Sequence, residues 1–228
     1  MGIVIAIDGP AGSGKGTVTK LVAERLGLVN IDTGAMYRCV ALECLNKNIK
    51  PEELEKIKEV LENIDIQLKR EEDKQIVLLN GQDVSSEIRS TRIDENVAKY
   101  AAIKIVRDKV TPIQQKMGES QNIIMEGRDI GTVVFPNADV KLFLDCSIEE
   151  RARRRYKQNQ ERGIDSTYEE VLQALIERHK LETEREVAPF VKAEDAIVVD
   201  STKMSIEEET QEVIKIILEQ LEKKNKKI

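Results

Sequence analysis

Ile3-Val4-Ile5-Ala6-Ile7-Asp8-Gly9-Pro10-Ala11-Gly12-Ser13-Gly14-Lys15-Gly16-Thr17 decides the fold. The first six residues are a short apolar run closed by Asp8. A glycine-rich turn follows, and from Thr17 to Leu26 the residues Val18, Leu21, Val22, Arg25 and Leu26 recur at helical spacing. Strand, loop and helix in that order turn a glycine-rich string into a phosphate-binding loop. Glycines let successive N–H groups turn inward around an anion without Cβ clashes. The helix N-terminus adds partial positive charge, and Lys15 supplies a point charge for β- and γ-phosphates. In the pattern Gly-x4-Gly-Lys-Ser/Thr, Gly16 stands where Ser or Thr is usual, and Thr17 follows one position later.

Further apolar runs at 122–125, 140–144 and 196–199 alternate with helical stretches, which predicts an α/β protein: a parallel sheet with helices on both faces. One segment breaks the rhythm. Ile64, Ile66 and Leu68 alternate with polar residues, Glu71-Glu72-Asp73-Lys74 interrupts, and the run Ile76 to Leu79 ends at Asn80-Gly81, the strongest two-residue hairpin signal. With Gln82-Asp83-Val84 as a short third strand, residues 60–86 read as a small antiparallel β insertion, and Asp94 to Lys116 as the helical return to the core. Ser205 to Leu221 is an amphipathic helix carrying Ile206, Val213, Ile214, Ile217, Leu218 and Leu221, opened by Ser205 and Glu208 at capping-box spacing. Lys223, Lys224, Lys226 and Lys227 read as a solvated, frayed end.

A chain of 228 residues is long enough for one full domain with a sizeable insertion. With 40% hydrophobic and 34% charged residues it has the composition of a soluble globular protein, and its net charge of −6 offers no broad face to a nucleic-acid polymer. No apolar run approaches the roughly 18 residues of a membrane span, and the N-terminal stretch lacks the regions of a signal peptide, so a cytoplasmic location without membrane association is expected. Cys39, Cys44 and Cys146 lack Cys-x-x-Cys spacing, and His179 is the one histidine, which disfavours a zinc site or a Ser-His-Asp triad. No coiled coil demands a dimer, and a monomer is expected.

Arginines near strand ends point to a second anion. Asp32-Thr33-Gly34-Ala35-Met36-Tyr37-Arg38 follows the second strand, Gly127-Arg128-Asp129 follows another, and Arg107, Arg178 and Arg185 lie on helices. Ligands of doubly wound sheets sit beyond the carboxyl ends of the strands. Asp145, closing the run 140–144, is a candidate to hold a metal-bound water, and Asp8 a weaker one; either equally suits a helix cap or a turn. Arg151, Arg153, Arg154 and Arg155 crowd one helix, with Arg151, Arg154 and Arg155 on one side at i, i+3 and i+4. A polyphosphate between them would offset their repulsion; the alternative is pairing with Glu149, Glu150 and Glu161.

The chain resembles the bacterial cytidylate kinases, P-loop proteins of the nucleoside monophosphate kinase group. The strings that carry the resemblance are 7–17, 32–38, Gly127-Arg128-Asp129-Ile130-Gly131-Thr132-Val133-Val134-Phe135-Pro136 and Val187-Ala188-Pro189, within a match from Ile3 to about Ile206. The resemblance implies a single P-loop kinase domain over 1–228, with an inserted monophosphate-binding subdomain at 60–105 and a short mobile lid at 150–165. It implies ATP as donor, with Mg²⁺ held largely through phosphate oxygens and waters rather than by a direct side-chain ligand, and CMP and dCMP as acceptors. Arg38, Arg128 and Arg185 would hold the acceptor phosphate beside Gly127. Thr33, Arg107 and Asp129 would face cytosine, and Arg178 with Glu182 would reach the sugar. Arg151 would lie near adenine, and Arg154 and Arg155 at the donor phosphates, joining Lys15 in catalysis. Two other readings remain: a kinase of another small acceptor such as AMP or shikimate, and a nucleotide-operated switch. The Arg107 and Asp129 pair with the hairpin insertion favours cytosine over the first, and the second has no need of a monophosphate site.

Overall fold

The computed structural model describes residues 2–71, 74–119 and 121–228. In chain order the elements are β1 (Val4–Asp8), α1 (Lys15–Leu26), β2 (Val29–Asp32), α2 (Thr33–Asn46), α3 (Leu54–Asn63), β3 (Ile66–Glu71), β4 (Lys74–Leu79) and β5 (Gln82–Asp83). They continue as α4 (Thr91–Ala101), α5 (Lys104–Met117), β6 (Ile123–Gly127), β7 (Val140–Asp145), α6 (Ile148–Glu161), α7 (Tyr168–Glu184), β8 (Ile197–Asp200) and α8 (Ile206–Lys223). The chain divides into two compact units, one of residues 1–31 with 115–228 and the other of residues 32–114.

The first unit is built on a five-stranded sheet of order β2-β6-β1-β7-β8. β1 pairs in parallel with β6 and with β7, and β7 in parallel with β8. Every residue of β1 and β6 is buried, which is why both read as continuous apolar runs rather than alternating ones. Val18, Val22 and Ala23 of α1 and Val213, Ile217 and Leu221 of α8 share one core with Ile5, Ile7, Ile124 and Leu142 of the sheet. The capping box forms at Ser205 and Glu208, but Ile206 and Leu218 of the predicted apolar face are exposed. The lysine tail is exposed, as expected of a solvated end, but it is tethered at two points: Lys224 Nζ donates to the Asp139 carbonyl at 2.6 Å and Lys226 Nζ to the Asp139 carboxylate.

In the second unit, β3, β4 and β5 form the antiparallel sheet. Asn80 and Gly81 both have positive φ, 51° and 82°, as a two-residue hairpin turn with the right twist demands. The polar interruption at Glu72-Asp73 lies outside the described residues. The single helical return expected from Asp94 to Lys116 is two helices, α4 and α5. Arg107 Nη1 donates to the Ala101 carbonyl at 2.8 Å, a cation satisfying an orphan acceptor at the end of α4, so the chain can break there without a buried polar loss.

Candidate active site

The loop between β1 and α1 is held in shape from behind. Asp8 is buried, and its two carboxylate oxygens accept the N–H groups of Ile130 at 2.9 Å and Gly131 at 2.8 Å, tying β1 to the turn that follows β6. Burial pushes its pKa up to about 6, against the pull of those two N–H groups. Both oxygens are thereby committed to backbone.

At the other end of the loop Gly14 is the N-cap of α1, with φ 95°; its carbonyl accepts the N–H groups of Thr17 at 3.0 Å and Val18 at 3.1 Å, but it has no side chain to cap the N–H groups that precede them. A non-glycine residue is strained in this conformation. Ser13 Oγ is fully buried with no hydrogen-bond partner among the described residues. Lys15 is buried and donates from Nζ to the Pro10 carbonyl at 3.0 Å. Burial pushes its pKa down to about 7, Arg128 adds to the effect, and Glu126 and Glu182 oppose it. A buried hydroxyl lacking a partner, an uncapped helix start and a desolvated lysine all gain from an anion at this place.

Two arginines of α6 hold the carbonyl side of the loop. Arg151 donates from Nη1 to the Ala11 carbonyl and from Nε to the Cys146 carbonyl, each at 3.1 Å. Arg154 donates from Nη1 to the Ser13 carbonyl at 3.1 Å, from Nη2 to the Ser201 carbonyl at 2.8 Å and from Nε to Glu150 at 3.1 Å. Arg153 pairs with Glu150 at the surface, and Arg155 Nη1 donates to Gln158 at 2.7 Å. The crowding of positive charge on α6 is thus relieved by carbonyls of alternate loop residues as well as by Glu150.

A second cationic cluster surrounds Glu182. One of its oxygens accepts from Arg128 Nε at 2.7 Å and the other from Arg178 Nε at 2.9 Å. Burial alone would raise its pKa, yet the two guanidinium groups hold it well below the usual carboxylate range. Arg128 also lies over the Phe190 ring, 5.8 Å from its centroid. Arg185 donates to the Ala188 carbonyl at 2.6 Å, and its Nη2 is 3.8 Å from Asp129 Oδ1, both side chains being buried. Arg128, Asp129, Arg178, Glu182 and Arg185 are therefore near one another in the first unit, with Glu182 as an anionic hub that sequence alone did not reveal.

Thr33, Arg38 and Arg107 belong to the second unit. Thr33 starts α2, which Asp32 caps by accepting from Ala35 N. Arg38 pairs with Asp94 at 2.5 Å and donates to the Ile88 carbonyl at 3.0 Å. Arg107 is buried, with its guanidinium 5.1 Å from the centroid of Tyr37. Asp145 is exposed and accepts from the N–H of Cys146 at 2.8 Å, a turn contact.

Glu126, the last acidic residue of β6, was missed in the sequence. Its Oε1 is 3.2 Å from the point where a Cβ on Gly16 would lie, and 3.4 Å from Thr19 Oγ1. An acid at the end of a buried strand, directly before Gly127-Arg128-Asp129, is the signal that could have found it. Among the described residues no group of three or more His, Cys, Asp or Glu side chains could hold a metal ion.

A family model described as Cytidylate kinase matches residues 5–223. A cytidylate kinase of Caldicellulosiruptor saccharolyticus is 48% identical over 94% of this chain and 95% of its own length. One of Bacillus subtilis is 46% identical over 97% of each chain. Among solved structures, TT1252 from Thermus thermophilus covers 96% of this chain at TM-score 0.50 and 18% identity, and a gluconokinase from Sinorhizobium meliloti covers 98% at TM-score 0.50 and 17% identity. At such identities the structural likeness concerns the fold alone.

Proposed function

Because the chain belongs to the cytidylate kinase family, we propose that it transfers the γ-phosphoryl group of ATP to CMP and dCMP, giving ADP and the corresponding diphosphate. The observation that carries this reading is the presence in one unit of two cationic, anion-accepting groups of residues. One is the glycine-rich loop with buried Lys15 and Ser13; the other is the set of arginines gathered on Glu182. A switch protein would need only the first.

Phosphoryl transfer asks for position and charge neutralisation rather than a nucleophilic side chain. An oxygen of the CMP phosphate attacks the γ-phosphorus in line, a P–O bond forms there, and the bond to the β-phosphate oxygen breaks with its electron pair leaving on ADP. Lys15 meets the β- and γ-phosphates, while Gly9 to Thr17 cradle them and Arg155 approaches them from α6. Residues 150–165 serve as the cover that excludes water. On the acceptor side, Arg38, Arg128 and Arg185 bind the CMP phosphate beside Gly127, Arg178 and Glu182 bind the sugar, and Thr33, Arg107 and Asp129 bind the base.

Mg²⁺, when bound, neutralises charge on the donor phosphates. No cluster of acids offers it direct ligands among the described residues; Glu126, whose Oε1 lies 3.2 Å from the point where a Cβ on Gly16 would be, and Asp145 would hold it through water. An ADP-release assay with ATP and Mg²⁺ across the nucleoside monophosphates tests the function. CMP and dCMP should lead, UMP should trail, and AMP and GMP should be excluded; preference for AMP or GMP would overturn the reading.

A further inference from the structure

Behind the loop, on α8, lies a buried acid that neither the motif nor the transfer chemistry uses. Glu209 is 1% exposed, and its Oε1 has no hydrogen-bond partner among the described residues. Its Oε2 is 3.7 Å from the point where a Cβ on Gly14 would lie; Arg154 Nη1 is 3.4 Å from the same point. Burial raises the pKa of Glu209, opposed by Arg154, by hydrogen bonding with Ser201 and by Lys15. Ser201 in turn presents its carbonyl to Arg154 Nη2. A carboxylate in this position costs stability unless a cation accompanies it, and Arg154 is the first cation it meets.

We propose that Glu209 is a positioning residue for the donor site, acting through Arg154. Its charge aims the guanidinium at the Ser13 carbonyl, keeps that carbonyl turned outward, and so leaves the N–H groups around Gly14 facing the phosphates. The proposal rests on the donor-loop reading above. It also gives Arg154 a different duty from Arg155: Arg154 orders the loop and need not leave it for phosphate. Because Glu209 and Arg154 approach the same side of Gly14, the charge of Glu209 is spent on that arginine rather than on repelling ATP.

A double-mutant cycle tests this through ATP binding alone, measured by calorimetry with Mg²⁺ and no acceptor. Glu209→Gln keeps the shape and should fold. It should weaken ATP by about two- to 150-fold, the span of ordinary pairwise couplings, while leaving the KM for CMP unchanged. In an Arg154→Met background, Glu209→Gln should weaken ATP no further. It should instead raise the melting temperature, since Arg154→Met strands a buried charge that Gln removes. Unchanged or tighter ATP binding by Glu209→Gln, or equal losses in both backgrounds, would overturn the inference while leaving the donor site intact. Failure of the wild-type protein to bind ATP would overturn the donor-loop reading itself, and this one with it.

Discussion

Arg128, half-buried, and Glu182, buried, are joined by a 2.7 Å hydrogen bond, and the other oxygen of the same carboxylate is held by Arg178 at 2.9 Å. Two cations that share one anion are pre-positioned for a second anion, since each keeps N–H donors that Glu182 does not use.

Glu182→Gln leaves both guanidinium groups without their counter-charge. Removing one partner of a buried ion pair costs about 3–5 kcal/mol, and the partial exposure of Arg178 places this case toward the lower end. Glu182 has a depressed pKa, so its contribution is present above the unfolded carboxylate value of about 4.3 and is lost as pH falls below it. Denaturant titrations of both proteins should show the full gap at pH 7 and a shrinking gap on acidification; a gap that does not vary with pH would deny Glu182 its charged role.

Lys15, with its pKa near 7, is partly neutral at physiological pH, whereas phosphates favour the ammonium form. Binding of ATP should therefore take up protons above pH 7, visible as a dependence of calorimetric heat on buffer ionisation enthalpy. Affinity should fall by up to about tenfold per pH unit on the alkaline side. Lys15→Ala should remain folded, lose transfer by orders of magnitude and abolish the proton uptake. Uptake that persists in this variant would assign the proton to another group.

Gly14→Ala places a Cβ on a left-handed residue, at about 1–2 kcal/mol, and sets it 3.4 Å from Arg154 Nη1. Stability should fall by that amount in chemical denaturation, and the KM for ATP should rise with little change in that for CMP. Equal change in both constants would mean that the loop also shapes the acceptor site.

Asp129→Asn probes base choice. Cytosine offers an amino donor where uracil offers a carbonyl acceptor, so an ionised Asp129 should favour CMP, and the amide should narrow the gap to UMP. The competing role is visible in the 3.8 Å approach of Asp129 to Arg185. If kcat/KM falls for CMP and UMP alike, with their ratio constant, Asp129 orients that arginine rather than reading the base.

What could be read in the sequence was local. The loop at 9–17, the hairpin at Asn80-Gly81 and the capping box at Ser205 each depend on neighbours within a few residues, and each is in place. The strand order was not legible, because β1, β6, β7 and β8 are similar apolar runs and nothing local tells which of them pair. Glu126 and Glu209 were missed for a related reason: the residues they approach, Gly16 and Gly14, lie far away in the chain. The spacing of Arg151 and Arg154 showed that they share a helix face but not that loop carbonyls would occupy it. The division between α4 and α5 depends on Arg107 reaching Ala101, a contact that hydrophobic periodicity does not record.

The order β2-β6-β1-β7-β8 has a consequence during synthesis. The strand at the centre of the larger sheet is made before either of its neighbours: Ile3 N donates to the side chain of Asn122, 119 positions later. At about 5–20 residues per second, translation of that interval takes about 6–24 s. Throughout it Ile5 and Ile7 leave the ribosome without a pairing partner, while residues 32–114 emerge and can collapse as a unit of their own. The nascent chain thus carries an apolar segment whose sheet partners do not yet exist, for longer than most domains take to fold.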